Sequence, residues 1–142
     1  MNGLTCVVVG GGHAGVQALK AIRSSIEETE KSRRLRFVLI DRQPSHVRKV
    51  LLFRPAVGSE EIAVPWSRCF PEGVEFVQGT VTSVESGERR IRYTDAQGKE
   101  AWMPYDLLVV AVGSGVRRPD SAQGGIALTD PEAAAEIRER WR

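Results

Sequence analysis

Three glycines within six residues, Gly10, Gly12 and Gly15, have the spacing G-x-G-x-x-G. They follow the apolar, β-branched run Leu4–Val9. They precede a stretch in which Val16, Leu19, Ile22 and Ile26 recur three and four residues apart, the stripe of a helix. A glycine turn between a buried strand and a helix suits a pair of phosphates. The first glycine allows the tight turn, the second leaves the backbone open to a pyrophosphate, and the third lets helix and strand pack closely. The helix start adds free N–H groups and partial positive charge. His13 and Ala14 fill the turn, and His13 is expected to line it or to face solvent rather than to do acid–base work. A second apolar run, Leu35–Ile40, ends at Asp41, where a carboxylate can accept bonds from ribose hydroxyls. Asp41 comes somewhat later after Gly15 than the usual 20 or so residues, a difference absorbed by a long first helix and its charged Glu27–Arg34 tail. Strand, glycine turn, helix, strand and acid in this order predict an adenine-dinucleotide site.

Other chemistries find little support. His13 and His46 are the only histidines, no Ser/His/Asp set is readable from spacing, and no catalytic residue is assigned. Cys6 lies in the first apolar run as a small buried hydrophobe, and Cys69 has nothing beside it that marks a reactive thiol. Without a CxxC or a His/Cys cluster no metal site is expected. The pairs Glu27-Glu28 and Glu60-Glu61 read as solvated faces. So do the short basic spots Ser32-Arg33-Arg34, Glu88-Arg89-Arg90 and Val116-Arg117-Arg118. The 142 residues carry 20 Lys+Arg against 18 Asp+Glu, a balance of +2, without the clustered basic excess of a nucleic-acid binder. With 42% hydrophobic and 27% charged residues the chain is ordinary globular material with a core of its own. The run Cys6–Val9 is too short for a signal peptide or membrane span, so a soluble, reduced, cytoplasmic protein is expected.

The elements that must hold the glycine turn follow from the pattern. Leu4–Val9 and Leu107–Val112 are continuous apolar runs of the kind buried on both faces of a parallel sheet. Between them, after the β-α-β unit, residues 42–71 hold several prolines, with a short helix expected over Val47–Phe53. Alternating segments at Val74–Val77, Thr80–Val84, Arg90–Thr94 and Glu100–Met103 predict a four-strand meander with turns at Ser86-Gly87 and Asp95–Gly98. A polar linker, Arg117–Gly125, leads to a last helix. Thr129 is expected to cap it, with Glu132 completing a capping box, Pro131 in the first turn and Ala134, Ile137 and Trp141 as its apolar stripe. Trp66, Trp102 and Trp141 are available as partner anchors but read more simply as core and rim residues.

Taken together, the residues resemble the N-terminal part of flavoproteins with two dinucleotide-binding domains, the type II NADH dehydrogenases and apoptosis-inducing-factor-2-like oxidoreductases above all. Four stretches carry the likeness: Val7–Gly15; Leu39–Arg42 with His46 and then Leu51–Gly58; Glu61–Pro65; and Tyr105–Ser114, similar to the family's YD-x-L-V-x-A-T-G-S segment. The resemblance implies an α/β, Rossmann-like FAD-binding fold with a parallel sheet and an inserted β-meander. It makes residues 1–142 a single, partial FAD-binding domain, with 1–116 the sheet core and 117–142 the linker and terminal helix.

The resemblance also implies FAD at the glycine turn. Asp41 would hold the adenosine ribose with Arg42 beside it, and Val81 would meet adenine through its backbone. Ala111, Val112 and Gly113 would approach the cofactor, and Arg54 would lie toward the flavin. Val112 stands where relatives have Thr, which removes a hydroxyl. The family inserts an NAD(P)H domain and returns with a last FAD strand. Neither a second glycine motif nor the late G-D segment occurs in these residues, and no CxxxxC pair supports disulfide reduction. The expectation is an FAD-binding subunit or segment of an NAD(P)H-dependent flavin oxidoreductase, with NAD(P)H bound by a partner or a missing domain. The partner would be a second oxidoreductase subunit or another copy of the chain. The alternatives are a non-catalytic dinucleotide-binding regulatory module, a plain NAD-binding domain, and a piece of a longer enzyme.

Overall fold

The computed structural model describes residues 3–27, 35–58, 60–70, 72–117, 120 and 122–141. The polar close of the first helix from Glu28 onward, the Ser32-Arg33-Arg34 run, and Arg118 lie outside them. The chain divides into two compact units, residues 1–46 with 65–113, and residues 47–64 with 114–142.

The first unit is built on a six-stranded sheet. β1 (Leu4–Val9) pairs in parallel with β2 (Leu35–Asp41), and α1 (His13–Glu27) connects them. The expected β-α-β unit is therefore present. Val16 and Leu19 of α1 pack with Cys6, Val8, Phe37 and Leu39 on one face of the sheet. Val7, Val9, Val38 and Ile40 point to the other face, where Ile91 and Met103 cover them. Burial on both faces explains why β1 and β2 are continuous apolar runs instead of alternating ones.

Two segments expected to be separate strands are one. β5 runs unbroken from Val74 to Glu85. Its first half pairs in parallel with β2, and its second half pairs antiparallel with β6 (Arg90–Asp95). Gly79 is a close approach rather than a break, since a Cβ there would stand 2.8 Å from the carbonyl oxygen of Thr94. The register shifts between Val81 and Ser83, a bulge that lets one strand serve both ladders. β7 (Glu100–Pro104) completes the meander against β6, so the meander has three strands, not four.

β8 (Leu107–Val110) pairs in parallel with β1 and is the edge of the sheet, giving the order β7-β6-β5-β2-β1-β8. Expected to be buried on both faces, it is half open, with Leu107 47% and Val110 58% exposed. Among the described residues no strand lies on its outer side. Asp106, just before β8, ties its start to β1. Its carboxylate accepts the Thr5 N–H at 2.7 Å, and its own N–H donates to the Thr5 carbonyl at 2.9 Å.

The chain changes units along two short paired strands, β3 (Ser45–Val47) and β4 (Ala63–Pro65). The helix expected over Val47–Phe53 is a 3-10 turn at Lys49–Leu51 followed by α2 (Phe53–Val57). After β4 the short α3 (Trp66–Cys69) returns to the first unit. In the second unit α2 packs on α4 (Pro131–Arg140), with Leu52, Ala56, Ile62 and Ala134 buried. Arg138 donates to the Gly58 carbonyl at 2.9 Å. The cap of α4 is Asp130, not Thr129. Its carboxylate accepts the Ala133 N–H at 2.8 Å, while the Thr129 hydroxyl donates to that same carboxylate. Two neighbouring residues could cap, and the carboxylate is the stronger acceptor for a helix start. Pro131 does occupy the first turn. Trp141 lies off the buried stripe, 87% exposed. Asp130→Ala is expected to lower stability by about 1 kcal/mol, as an N-cap loss does, and urea unfolding checks it.

Candidate functional site

The glycine corner sits where β1 meets α1, at the carboxyl ends of β1, β2 and β8. Gly10 has φ +99°, a conformation open to glycine at little cost. A Cβ on it would run into the Ala111 carbonyl oxygen and stand 3.1 Å from the Val112 Cα. Gly10 donates to the Ile40 carbonyl at 2.8 Å, and Ala111 donates to the Val9 carbonyl at 2.8 Å, which closes the corner from both sides. Gly15 is the close approach of helix to turn, where a Cβ would overlap the Gly10 carbonyl oxygen. Gly12 is the opposite case: nothing lies within 4 Å of where its Cβ would stand. Two glycines are thus demanded by packing, and the middle one of the motif leaves open space.

The start of α1 carries no acidic side chain in its first turn. Its first intrahelical bond runs from the Val16 N–H to the Gly12 carbonyl at 3.0 Å. The earlier N–H groups of the turn have no acceptor within the helix. His13 and Ala14 are both exposed there.

Asp41 points at the corner. Its Oδ2 accepts the Gly11 N–H at 2.6 Å and its Oδ1 accepts the Gln43 N–H at 2.7 Å. Each oxygen has a further lone pair, so the carboxylate keeps capacity for hydroxyl donors. A carboxylate held by backbone N–H groups beside an open, electropositive turn fits the sugar and diphosphate of a dinucleotide. Arg42 is exposed next to it, and its carbonyl accepts from the Gln78 side chain at 3.1 Å.

Of the other expected site residues, Ala111 and Val112 border Gly10, and Gly113 follows with φ +73°. Val112 is solvent-exposed. Val81 stands in β5 opposite Tyr93, at the bulge. Arg54 belongs to the second unit, where it pairs with Glu60 Oε1 at 2.6 Å.

Sequence reasoning missed what holds Gly11. His46 Nδ1 lies 2.8 Å from the Gly11 carbonyl oxygen. Trp66 presses its outer ring on the Gly11 Cα, so that a Cβ there would overlap Cη2. The one signal in the sequence was Gly11 itself, a third consecutive glycine with no role in the spacing.

The thiols stand apart from this corner's chemistry. Burial pushes Cys6 above the usual thiol range. Burial also raises Cys69, with Lys20 pulling it partly back. Among the described residues no three His, Cys, Asp or Glu side chains are placed to hold a metal ion. No helix among them is long and apolar enough to cross a membrane.

A family model described as pyridine nucleotide-disulphide oxidoreductase matches residues 4–141. Among solved structures, the chain is similar to NDH2 from Plasmodium falciparum, with TM-score 0.80 and 16% identity over 98% of this chain and 28% of that one. It is also similar to the sulfide:quinone oxidoreductase of Aquifex aeolicus, with TM-score 0.74 and 21% identity over 97% of this chain and 31% of that one. A third is an NAD-dependent persulfide reductase from A. fulgidus, with TM-score 0.75 and 20% identity over 97% and 28%. These likenesses show the fold, a Rossmann-like α/β sheet with its inserted meander. The chain spans between 28% and 31% of the length of these three structures.

Proposed function

Because the chain belongs to the pyridine nucleotide-disulphide oxidoreductase family, we propose that it binds FAD and serves as the FAD-binding segment of an NAD(P)H-dependent flavin oxidoreductase. A partner polypeptide supplies the NAD(P)H domain and the rest of the flavin site. The observation that carries this reading is the glycine corner: open at Gly12, closed at Gly10 and Gly15, and flanked by the Asp41 carboxylate. In this reading the turn from Gly10 to Gly15, with the exposed His13 and Ala14, holds the diphosphate. Asp41 anchors the ribose with Arg42 beside it, and the Val81 backbone meets adenine. Ala111, Val112 and Gly113 lie along the cofactor, and Arg54 serves its flavin end.

When bound, FAD supplies the redox chemistry, and the protein binds and orients it. One observation supports completion by a partner. Among the described residues the outer edge of β8 is open and apolar. One solved relative, NDH2, is described in complex with NADH, which supports the NAD(P)H dependence.

Titrating FAD and NAD separately against the purified chain tests the reading. FAD is expected to raise the melting temperature, by an amount equivalent to about 2.7 kcal/mol at a hundredfold excess over Kd, and NAD to leave it unchanged. A shift with NAD alone would reassign the site to a plain NAD-binding domain. FAD binding without NAD(P)H-driven bleaching, after every co-encoded protein is added, would assign a non-catalytic regulatory module instead.

A further inference from the structure

We propose that His46 and Trp66 are positioning residues that fix the Gly11–Gly12 peptide and thereby set the diphosphate cradle; this rests on the dinucleotide reading above. Gly11 is held on three sides. Asp41 takes its N–H, His46 meets its carbonyl, and Trp66 covers its Cα. A carbonyl can only accept, so His46 donates through Nδ1–H, which both the Nδ1-protonated neutral ring and the imidazolium carry.

The peptide is planar and trans, so the Gly12 N–H points opposite to the carbonyl that His46 holds. His46 therefore sets the direction of an N–H at the one glycine of the motif with open space around it. Trp66 is a rigid stop behind this peptide. It is 8% exposed, its ring centroid lies 4.9 Å from that of Phe76, and it lies 6.2 Å from that of His46. With the indole in place, position 11 accepts no side chain, which accounts for three glycines in a row.

A cradle fixed before binding loses less freedom when it closes on a diphosphate. Removing one of its supports then weakens ligands that carry the diphosphate and spares those that do not. The probes are ADP, FAD and adenosine, titrated against the full chain. His46→Leu is expected to weaken ADP and FAD about tenfold, the effect of one lost hydrogen bond in a partly buried place. Adenosine affinity stays unchanged. His46→Asn, whose amide nitrogen can donate near the place of Nδ1, recovers most of the loss. Gly11→Ala weakens ADP by about tenfold or more as the methyl displaces the indole, and adding Trp66→Phe to it recovers binding.

Wild-type ADP affinity in His46→Leu, or a double variant that binds no better than Gly11→Ala, overturns the inference and leaves the dinucleotide reading standing. If the unmodified chain binds neither FAD nor ADP, that reading falls. Amide hydrogen exchange then decides the positioning role on its own. Exchange at Gly11, whose N–H Asp41 holds, that is faster in His46→Leu and restored in His46→Asn upholds it, and unchanged exchange overturns it.

Discussion

Gly15→Ala is expected to destabilise the fold by about 3 kcal/mol, the upper end for an overpacked site, and to abolish measurable dinucleotide binding. Two effects of opposite sign meet at this position. Inside a helix, alanine is favoured over glycine by about 1 kcal/mol. Against that, the new Cβ falls on the Gly10 carbonyl oxygen and 3.0 Å from the Gly10 carbonyl carbon. Those are backbone atoms of a turn already pinned by the Gly10 bond to Ile40, and no flexible side chain can give way. The clash therefore outweighs the propensity gain. The first turn of α1 must move off the end of β1, taking its N–H groups with it.

Gly12→Ala is the companion variant. Its methyl enters open space. Stability is expected to stay within about 0.5 kcal/mol of the unmodified chain, as for a surface change, while ADP affinity falls because the methyl occupies the cradle. Denaturant unfolding and ADP titration of the two variants separate packing from binding. A Gly15→Ala protein as stable as the unmodified chain would show that helix and turn do not approach as closely as the geometry states.

The β-α-β unit and its corner were legible because their physics is local. Periods of 3.6 residues in α1 and apolar continuity in β1 and β2 announce elements, and glycine spacing announces the turn between them. Asp41 followed from its place at a strand end. The features that escaped are those decided by distant partners. Gln78-Gly79 reads as an interruption between two strands, yet Gly79 is where β5 passes under the Thr94 carbonyl. Nothing within β5 announces that its neighbour changes from β2 to β6 along its length.

The apolar run at Leu107–Val110 looks like β1 in composition, but its burial depends on whether a strand lies on each side, and among the described residues only β1 does. At α4, Thr129 and Asp130 are both good caps, and the choice turns on one residue of phase. At the site, Trp66 lies 55 residues along the chain from the glycine it covers, a pairing that local propensity cannot express. Gly11 was the visible trace of that contact.

Asp41→Asn is expected to cost about a hundredfold in affinity for adenosine and at least as much for ADP, a pattern distinct from that of His46. The substitution is isosteric, so its effect isolates donor and acceptor chemistry. Both oxygens of Asp41 already accept backbone N–H groups, Gly11 at one and Gln43 at the other. An asparagine has one carbonyl oxygen. Whichever way its amide turns, the NH2 faces one of those two N–H groups, donor against donor. The partly buried bond so lost is worth about 1 kcal/mol or somewhat more.

If the amide faces Gln43, the Asx-type turn that carries the chain past β2 loosens. If it faces Gly11, one of the three supports of the cradle is lost. In either orientation one oxygen can no longer accept a ribose hydroxyl, and the remaining bond becomes a neutral one of roughly half the strength of a charge-assisted bond. Adenosine has the ribose and lacks the diphosphate, so it reports the sugar contact without the cradle. ADP reports that contact and the cradle together. Isothermal titration with both ligands resolves the two contributions. An Asp41→Asn chain that binds adenosine within threefold of the unmodified protein would remove the carboxylate from the sugar-binding role and leave it a purely structural clamp on Gly11.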